Sequence, residues 1–333
     1  MHGPECHILA QFRCVQISLR RSHEVKVGII GLGNMGEQLA RAIARAGFQT
    51  NVFDMRPEAI DRLAVEENIV GTSSIKELAL ESDAIGIVVL NEAQVTSVAD
   101  EIEAAGLART LIIHSTVSPA YVQQLAGRLL ASGIKVIDAT VAGGVARAKK
   151  GQLTVMVGGD ADTVESVSGV LDAIARDVFV VGPVGAGSAM KLAVNFMTIS
   201  SMSLLMEATE FVRAHGISED DLTSVLTTSS ADSKAVRTWG FHDRLRREAA
   251  PGTTPSQLVM RKDVSSFALA GAQAGVLLPL AAVAAETLLP KVAERDAYLE
   301  SLGEVAPIPR CGKCTLELIP PFRQAGVHPE CAA

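Results

Sequence analysis

Lys191 and Asn195 stand four residues apart in GAGSAMKLAVN, residues 185–195, which reads as the start of a long helix. That spacing puts both side chains on one face, one above the other. Met190, Leu192, Ala193 and Val194 surround the lysine, a poor setting for a solvated charge. Partial burial would lower its pKa, as a lysine that exchanges protons with a substrate requires. The plainer reading is a lysine that snorkels its charge out of an apolar helix.

A second set of residues suits phosphate. Val25 to Ile30 is a short apolar run, followed by Gly31, Gly33 and Gly36 as G-x-G-x-x-G. An amphipathic segment comes next, with Leu39, Ala40, Ile43 and Ala44 opposite Arg41 and Arg45, and Asn51 to Asp54 closes the unit as a second strand. Strand, glycine turn and helix in this order form a dinucleotide-binding unit. Gly31 permits the tight turn, Gly33 lets the backbone approach a pyrophosphate, and Gly36 lets the helix pack close to the strand. The helix N-terminus adds free N–H groups and a partial positive charge. Asp54, 18 positions after Gly36, can accept hydrogen bonds from a ribose diol. Its charge repels a 2′-phosphate and favours NAD, whereas Arg56 two residues later could attract one and keeps NADP open.

Three further stretches carry polar groups after apolar runs. In His114-Ser115-Thr116, hydroxyls at a strand's carboxyl end could reach ribose or substrate, or could simply cap the helix entered at Pro119. His114 invites an acid/base role, although a lone histidine there is more often packed. Gly143 and Gly144 follow Asp138-Ala-Thr-Val-Ala142 and expose backbone N–H groups suited to a carboxylate, or form a plain turn. Arg261-Lys262-Asp263 reads by default as a surface charge run.

The elements that must position these groups follow from the pattern. Strand and helix alternate from Val25 to Val181: helices are expected at 57–67, before Asp83, and at 93–105, 119–131 and 160–175. Strands are expected at 84–90, 110–114, 134–138, 153–157 and 178–181. This is a doubly wound α/β domain. After Gly185 the strands stop, and helices are expected at 191–215, 220–228, 233–248, 254–272 and 280–299, an all-α domain. The expected organisation is an extension over 1–24, a nucleotide domain over 25–184, an all-α substrate and oligomerisation domain over 185–302, and a Cys-rich tail over 303–333. The most apolar window, 267–285, holds Gln273 and a central Pro279 and reads as a helix pair broken at the proline rather than a membrane span.

Bulk properties narrow the function classes. A net charge of −7 leaves no basic footprint for nucleic acid, so the expected partner is a small molecule. Five cysteines, none between residues 15 and 310, are no disulfide framework and suit a reducing cytoplasm. The first 24 residues lack the pattern of a secretory signal; they resemble a transit peptide faintly and a disordered extension better.

VGIIGLGNMG, IIHSTVSP, DATVAGGVARAKKGQLTVMVGGD, GAGSAMKLAVN and KDV occur here in the order and spacing of the β-hydroxyacid dehydrogenase family, which residues 25–290 resemble. The resemblance implies a Rossmann domain, a helical domain that often forms dimers or tetramers, and an active site between them. It implies NAD(P)-dependent oxidation of a CH–OH group of a small hydroxy acid. Lys191 falls on the catalytic acid/base and Asn195 on the residue that orients substrate. Ile30 with Gly31, Leu32, Gly33, Asn34, Met35 and Gly36, then Asp54, Leu90, Asn91, Val95, Thr116 and Lys262, fall on cofactor positions. Gly143 and Gly144 fall on substrate positions, and Ser115 joins them from the strand-end reading. Lys262 is then a contact on the nicotinamide side. The family's D-A-P-V-S-G-G stands here as DATVAGG, with Thr140 for proline and Ala142 for serine, which removes a hydroxyl expected on the substrate carboxylate. Asn91 stands for a proline and His114 for a frequent aspartate. Two other classes remain: an imine reductase of the same fold, which would usually carry aspartate or tyrosine at 191, and a catalytically silent NAD-binding protein.

The tail departs from the family. Cys311-x-x-Cys314 and His328-x-x-Cys331 offer three thiolates and an imidazole, the donors of a closed structural zinc site. The other reading is a disordered tail or a frame artefact.

Overall fold

A short run with no polar side chain is stable as a strand only when both faces are covered. β1 (Val27–Ile30) meets that condition and is buried at every residue. It is followed by α1 (Gly36–Arg45), β2 (Thr50–Phe53), α2 (Pro57–Asp61), β3 (Ile69–Gly71), α3 (Ile75–Leu80), β4 (Ala84–Ile87) and α4 (Glu92–Ala104). Then come β5 (Thr110–Ile113), α5 (Pro119–Leu130), β6 (Lys135–Ala142), α6 (Gly144–Ala148), β7 (Leu153–Gly158), α7 (Ala161–Ser166), α8 (Ser168–Ile174) and β8 (Ala175–Gly182). This computed structural model describes residues 25–107, 109–247 and 255–303; the extension expected over 1–24 and the zinc donors of the tail lie outside them.

The strands form one sheet in the order β3-β2-β1-β4-β5-β6-β7-β8. All neighbours run parallel except β6 and β7. The chain changes direction across the sheet between β1 and β4, the switch point where such sheets bind ligands at their carboxyl ends. Ile29, Leu39, Ile43, Ile112, Ile137 and Val155 are among the fully buried side chains of this aliphatic core. The doubly wound fold expected from the alternation is the one that forms.

Several boundaries differ, for local reasons. The run 84–90 ends as a strand at Ile87; Val88 N still donates to Ile30 O at 2.8 Å, and side chains take the next two amides, Ser115 Oγ accepting from Val89 N at 2.8 Å and Gln94 Oε1 from Leu90 N at 2.9 Å. β3 was not expected, since three residues are too few for a period to show. The helix expected to Glu67 ends at Asp61 to let the chain reach that strand. β6 continues four residues beyond the expected Asp138 because β7 pairs antiparallel along it, Asp138 with Gly158 through Ala142 with Thr154. The helix expected at 160–175 divides into α7 and α8 at Val167.

The remaining described elements are helices: α9 (Ala186–Ala214), α10 (Glu219–Thr227), α11 (Lys234–Arg237), α12 (Phe241–Arg247), α13 (Ser256–Gln273) and α14 (Pro279–Ser301). Ile199, Met202 and Met206 of α9 pack with Val264 of α13 and Leu288 and Val292 of α14. The apolar window does break at Pro279, which supplies the first residue of α14. The helix expected at 233–248 is two, and the turn between them places Trp239 to donate its indole N–H to Glu219 at 2.9 Å. Glu219 also takes Arg213 and Arg295, while Asp243 takes Arg295 and Arg246, a partly buried ionic set joining α9, α10, α12 and α14. By length and composition α9 is apolar enough to cross a membrane. Its buried side chains instead form the core just described.

The chain divides into two compact units. One extends through Ser115, resumes at Val122 and ends at Gly187; the other takes Thr116–Tyr121 and resumes at Ser188.

Candidate functional site

In the first unit the glycine loop is shaped by space as well as by torsion. Gly31 has φ +95°, and a Cβ there would strike the Val88 carbonyl oxygen. A Cβ at Gly36 would collide with the Gly31 carbonyl oxygen, so the start of α1 can lie against β1 only with glycine. At Gly33 a Cβ would meet nothing within 4 Å, and Gly33 and Asn34 are exposed. No side chain caps α1; Glu37 N and Gln38 N donate to Gly33 O at 3.1 Å and Met35 O at 2.9 Å, and the amides ahead of them stand at the positive end of the helix, where an anion binds. An open glycine before an uncapped helix is what a pyrophosphate needs, and these residues fit a dinucleotide. Ile30 and Leu32 are buried beneath the loop, and Met35 is half-buried.

Asp54 sits at the end of β2 with both oxygens engaged. Oδ2 accepts from Leu32 N at 2.7 Å, and Oδ1 accepts from Arg56 N at 2.9 Å and Arg56 Nε at 3.0 Å. Burial alone would push this carboxyl up, but the hydrogen bonds from Arg56 and Leu32 and the guanidinium charge together hold it below the usual aspartate value.

At the ends of β4 and β5 the expected contacts divide. Leu90 is exposed, and Asn91 Oδ1 caps α4 by accepting from Gln94 N at 2.9 Å. Val95 is fully buried on the packed side of α4. Ser115 is buried and its hydroxyl serves the backbone, accepting from Val89 N and donating to Ile87 O at 3.3 Å. His114 is buried too: Nδ1 donates to Ala139 O at 2.6 Å, and no partner meets Nε2 among the described residues. Burial pushes its pKa down to about 4 against the pull of that carbonyl.

At the end of β6, Asp138 and Thr140 are fully buried and act on the stretch that leads into α9. Asp138 Oδ1 accepts from Gly185 N at 2.7 Å, and Thr140 Oγ1 donates to Gly187 O at 2.9 Å. Beyond them Gly143, with φ +132°, and Gly144 turn the chain into α6 and stay exposed.

The second unit holds the lysines. Lys191 and Asn195 stand one turn apart on α9, and Lys262 and Asp263 are neighbours on α13. Asn195 Nδ2 donates to Asp263 Oδ2 at 2.6 Å. Lys262 Nζ donates to Thr116 O at 2.9 Å and lies 3.0 Å from Asp263 Oδ1. So four of the residues singled out in the sequence, Thr116, Lys191, Asn195 and Lys262, belong to one cluster organised on Asp263. Burial lowers the pKa of Lys191; the Asp263 charge opposes this and the Lys262 charge adds to it, for a net lowering. An amine so placed can take or give a proton near neutrality more readily than a solvated lysine.

Residues 26–182 match the family model described as the NAD binding domain of 6-phosphogluconate dehydrogenase. Residues 185–300 match that described as the NAD-binding region of NADP-dependent 3-hydroxyisobutyrate dehydrogenase. An L-threonate dehydrogenase of Cupriavidus necator is 32% identical over 78% of this chain and 87% of its own. The mitochondrial 3-hydroxyisobutyrate dehydrogenase of Drosophila melanogaster is 32% identical over 73% of each. The chain belongs to the β-hydroxyacid dehydrogenase family. A solved 3-hydroxyisobutyrate dehydrogenase of Mycobacterium tuberculosis, with L-serine, superposes with a TM-score of 0.73 at 25% identity, covering 84% of this chain and 99% of that one.

For a β-hydroxyacid dehydrogenase, this chain positions its groups with residues that the motif positions did not single out. Asp263 was read as part of a charge run and as a letter of KDV, with no role of its own, and nothing local distinguishes a buried aspartate from a solvated one. Asp138 and Thr140 were noted as motif letters, yet their bonds to Gly185 and Gly187, 47 residues on, are tertiary facts. Among the described residues no group of three or more His, Cys, Asp or Glu could hold a metal, and Cys311, Cys314, His328 and Cys331 lie outside them.

Proposed function

We propose that this dehydrogenase interconverts a small β-hydroxy acid and its semialdehyde, with NAD favoured over NADP. The observation that carries the reading is the half-buried Lys191, one helical turn from the Asn195 amide that Asp263 holds, with surroundings that lower its pKa, in a chain whose glycine loop fits a dinucleotide. Bound NAD(P) would supply the hydride acceptor in oxidation and the donor in reduction. Lys191 takes the hydroxyl proton in oxidation and returns it in reduction, and Asn195 orients the hydroxyl. The backbone N–H groups at Gly143 and Gly144 hold the carboxylate, the more so since Ala142 brings no hydroxyl. Assays of NAD and NADP against 3-hydroxyisobutyrate, glycerate and threonate, and of reduced cofactor against semialdehydes, test this through nicotinamide absorbance. Tight NADH binding without turnover of any of them would sink it.

The state of Asp54 supports NAD and adds a condition. Its near lone pairs are already taken by Leu32 and Arg56, so a ribose diol must displace the mostly exposed Arg56 side chain. A surface pair of this kind is worth about 0.2–1 kcal/mol. Replacing Arg56 with alanine should therefore tighten NADH binding by roughly 2–5-fold and weaken NADPH. Fluorescence titration of both nucleotides checks this, and unchanged NADPH affinity would count against the role of Arg56.

The cytoplasm and a dimer or tetramer complete the proposal. Met190, Met197, Leu204 and Phe211 are exposed on α9 at intervals of seven, one continuous apolar seam. A second copy of the chain covers it in this reading. Light scattering should then give a multiple of 34.9 kDa, and the double variant Leu204→Glu/Phe211→Glu should fall to one copy. A monomeric native protein would refute the seam.

A further inference from the structure

We propose that Asp263 is a positioning residue of this site: its carboxylate fixes which way the Asn195 amide faces and ties Lys262 to the same frame. The inference rests on the dehydrogenase reading for its meaning and on three contacts for its geometry. A carboxylate only accepts hydrogen bonds. Asn195 must therefore give it the nitrogen, as the 2.6 Å contact from Nδ2 to Oδ2 records. Oδ1 of Asn195 is then turned away from Asp263 as an acceptor, suited to a substrate hydroxyl or to the Lys191 ammonium. Asp263 is only 5% exposed, and its Oδ1, 3.0 Å from Lys262 Nζ, has no aligned hydrogen-bond donor among the described residues. A buried carboxylate oxygen without a donor is costly, which favours a cation close by. Lys262 is anchored to Thr116 O at 2.9 Å and can meet only part of that need.

The charge of Asp263 also acts on Lys191, whose surroundings include two charged groups of α13, Asp263 and Lys262. The carboxylate favours the protonated amine and Lys262 disfavours it. Asp263 thus serves two purposes: it sets the acceptor of Asn195, and it keeps burial from lowering the Lys191 pKa too far for the amine to return its proton in reduction.

Asp263→Asn keeps the shape, removes the charge and lets the facing amide take either orientation. The expected result is a loss of about 10²-fold in kcat with NADH affinity unchanged. The acidic limb of kcat/KM for oxidation, where the amine must be neutral, should move to lower pH by about half a unit or more. The pH dependence of Lys191 acylation by acetic anhydride, read by mass spectrometry, should move the same way. That arm needs no turnover: a shift in labelling without activity on any hydroxy acid keeps Asp263 and fails the dehydrogenase reading. Asp263→Glu keeps the charge but displaces it, so it should lose rate with the limb unmoved. It also serves if Asp263→Asn does not fold. Labelling and limb unmoved in Asp263→Asn, or wild-type kcat in Asp263→Glu, would overturn the proposal.

Discussion

Lys191→Ala loses about 10³-fold in kcat, within the range that positioned acid–base groups contribute, while NADH binds as before. The two effects separate because the glycine loop and Asp54 belong to the first unit and Lys191 to the second. Lys191→Arg should fare no better, since a guanidinium cannot be deprotonated for the oxidative step. Burial holds the Lys191 pKa below the ordinary lysine value, so oxidation should rise with pH through that lowered pKa and reduction should fall through it. Steady-state kinetics in both directions, beside an NADH titration of each variant, check this. A Lys191→Ala enzyme with near-native turnover would remove the lysine from the mechanism.

The second large effect concerns stability. His114 is buried and neutral, with its pKa pushed down to about 4 from an ordinary 6.5. The unfolded chain takes up this proton from about pH 6.5 downward, whereas the folded chain does so only near 4. Folding stability should therefore fall as pH drops through that window and level off below it, by about 3 kcal/mol for this group. His114→Asn keeps a donor for the Ala139 carbonyl but does not titrate. The difference between the two proteins' urea midpoints, measured from pH 7 to pH 4, isolates the histidine from the carboxylates that titrate in both. Parallel curves across the window would show that the imidazole is charged or solvated in the folded protein.

His114 also shows where sequence reasoning reaches its limit. A histidine at a strand end next to two hydroxyls has the composition of a catalytic group. The register of β5 beside β4 and β6 instead buries it against Gly86 and points Nδ1 at Ala139. Ser115 follows the same course, its hydroxyl turned to the backbone of β4. Both outcomes depend on which strands are neighbours, and that is decided by segments 25 to 28 residues apart.

Other features were legible because their causes are local. The glycine spacing of the first loop, the acid closing β2, and the lysine and amide four apart on one helix are written in consecutive residues. Periodicity likewise revealed an alternating α/β half and a helical half, since burial on one face must repeat at 2 or 3.6 residues whatever the chain does later. What the sequence by itself determined was thus the class of chemistry, the glycine loop and the helix that carries Lys191 and Asn195. Only the tertiary structure decided which groups hold them in place. Asp263 reaches Asn195 across 68 positions, Asp138 and Thr140 reach the start of α9 across 47, and Asp54 takes the Leu32 N–H across 22. Hydrogen bonds depend on distances of a few tenths of an ångström, and a chain sets such distances between remote residues only once its core has packed.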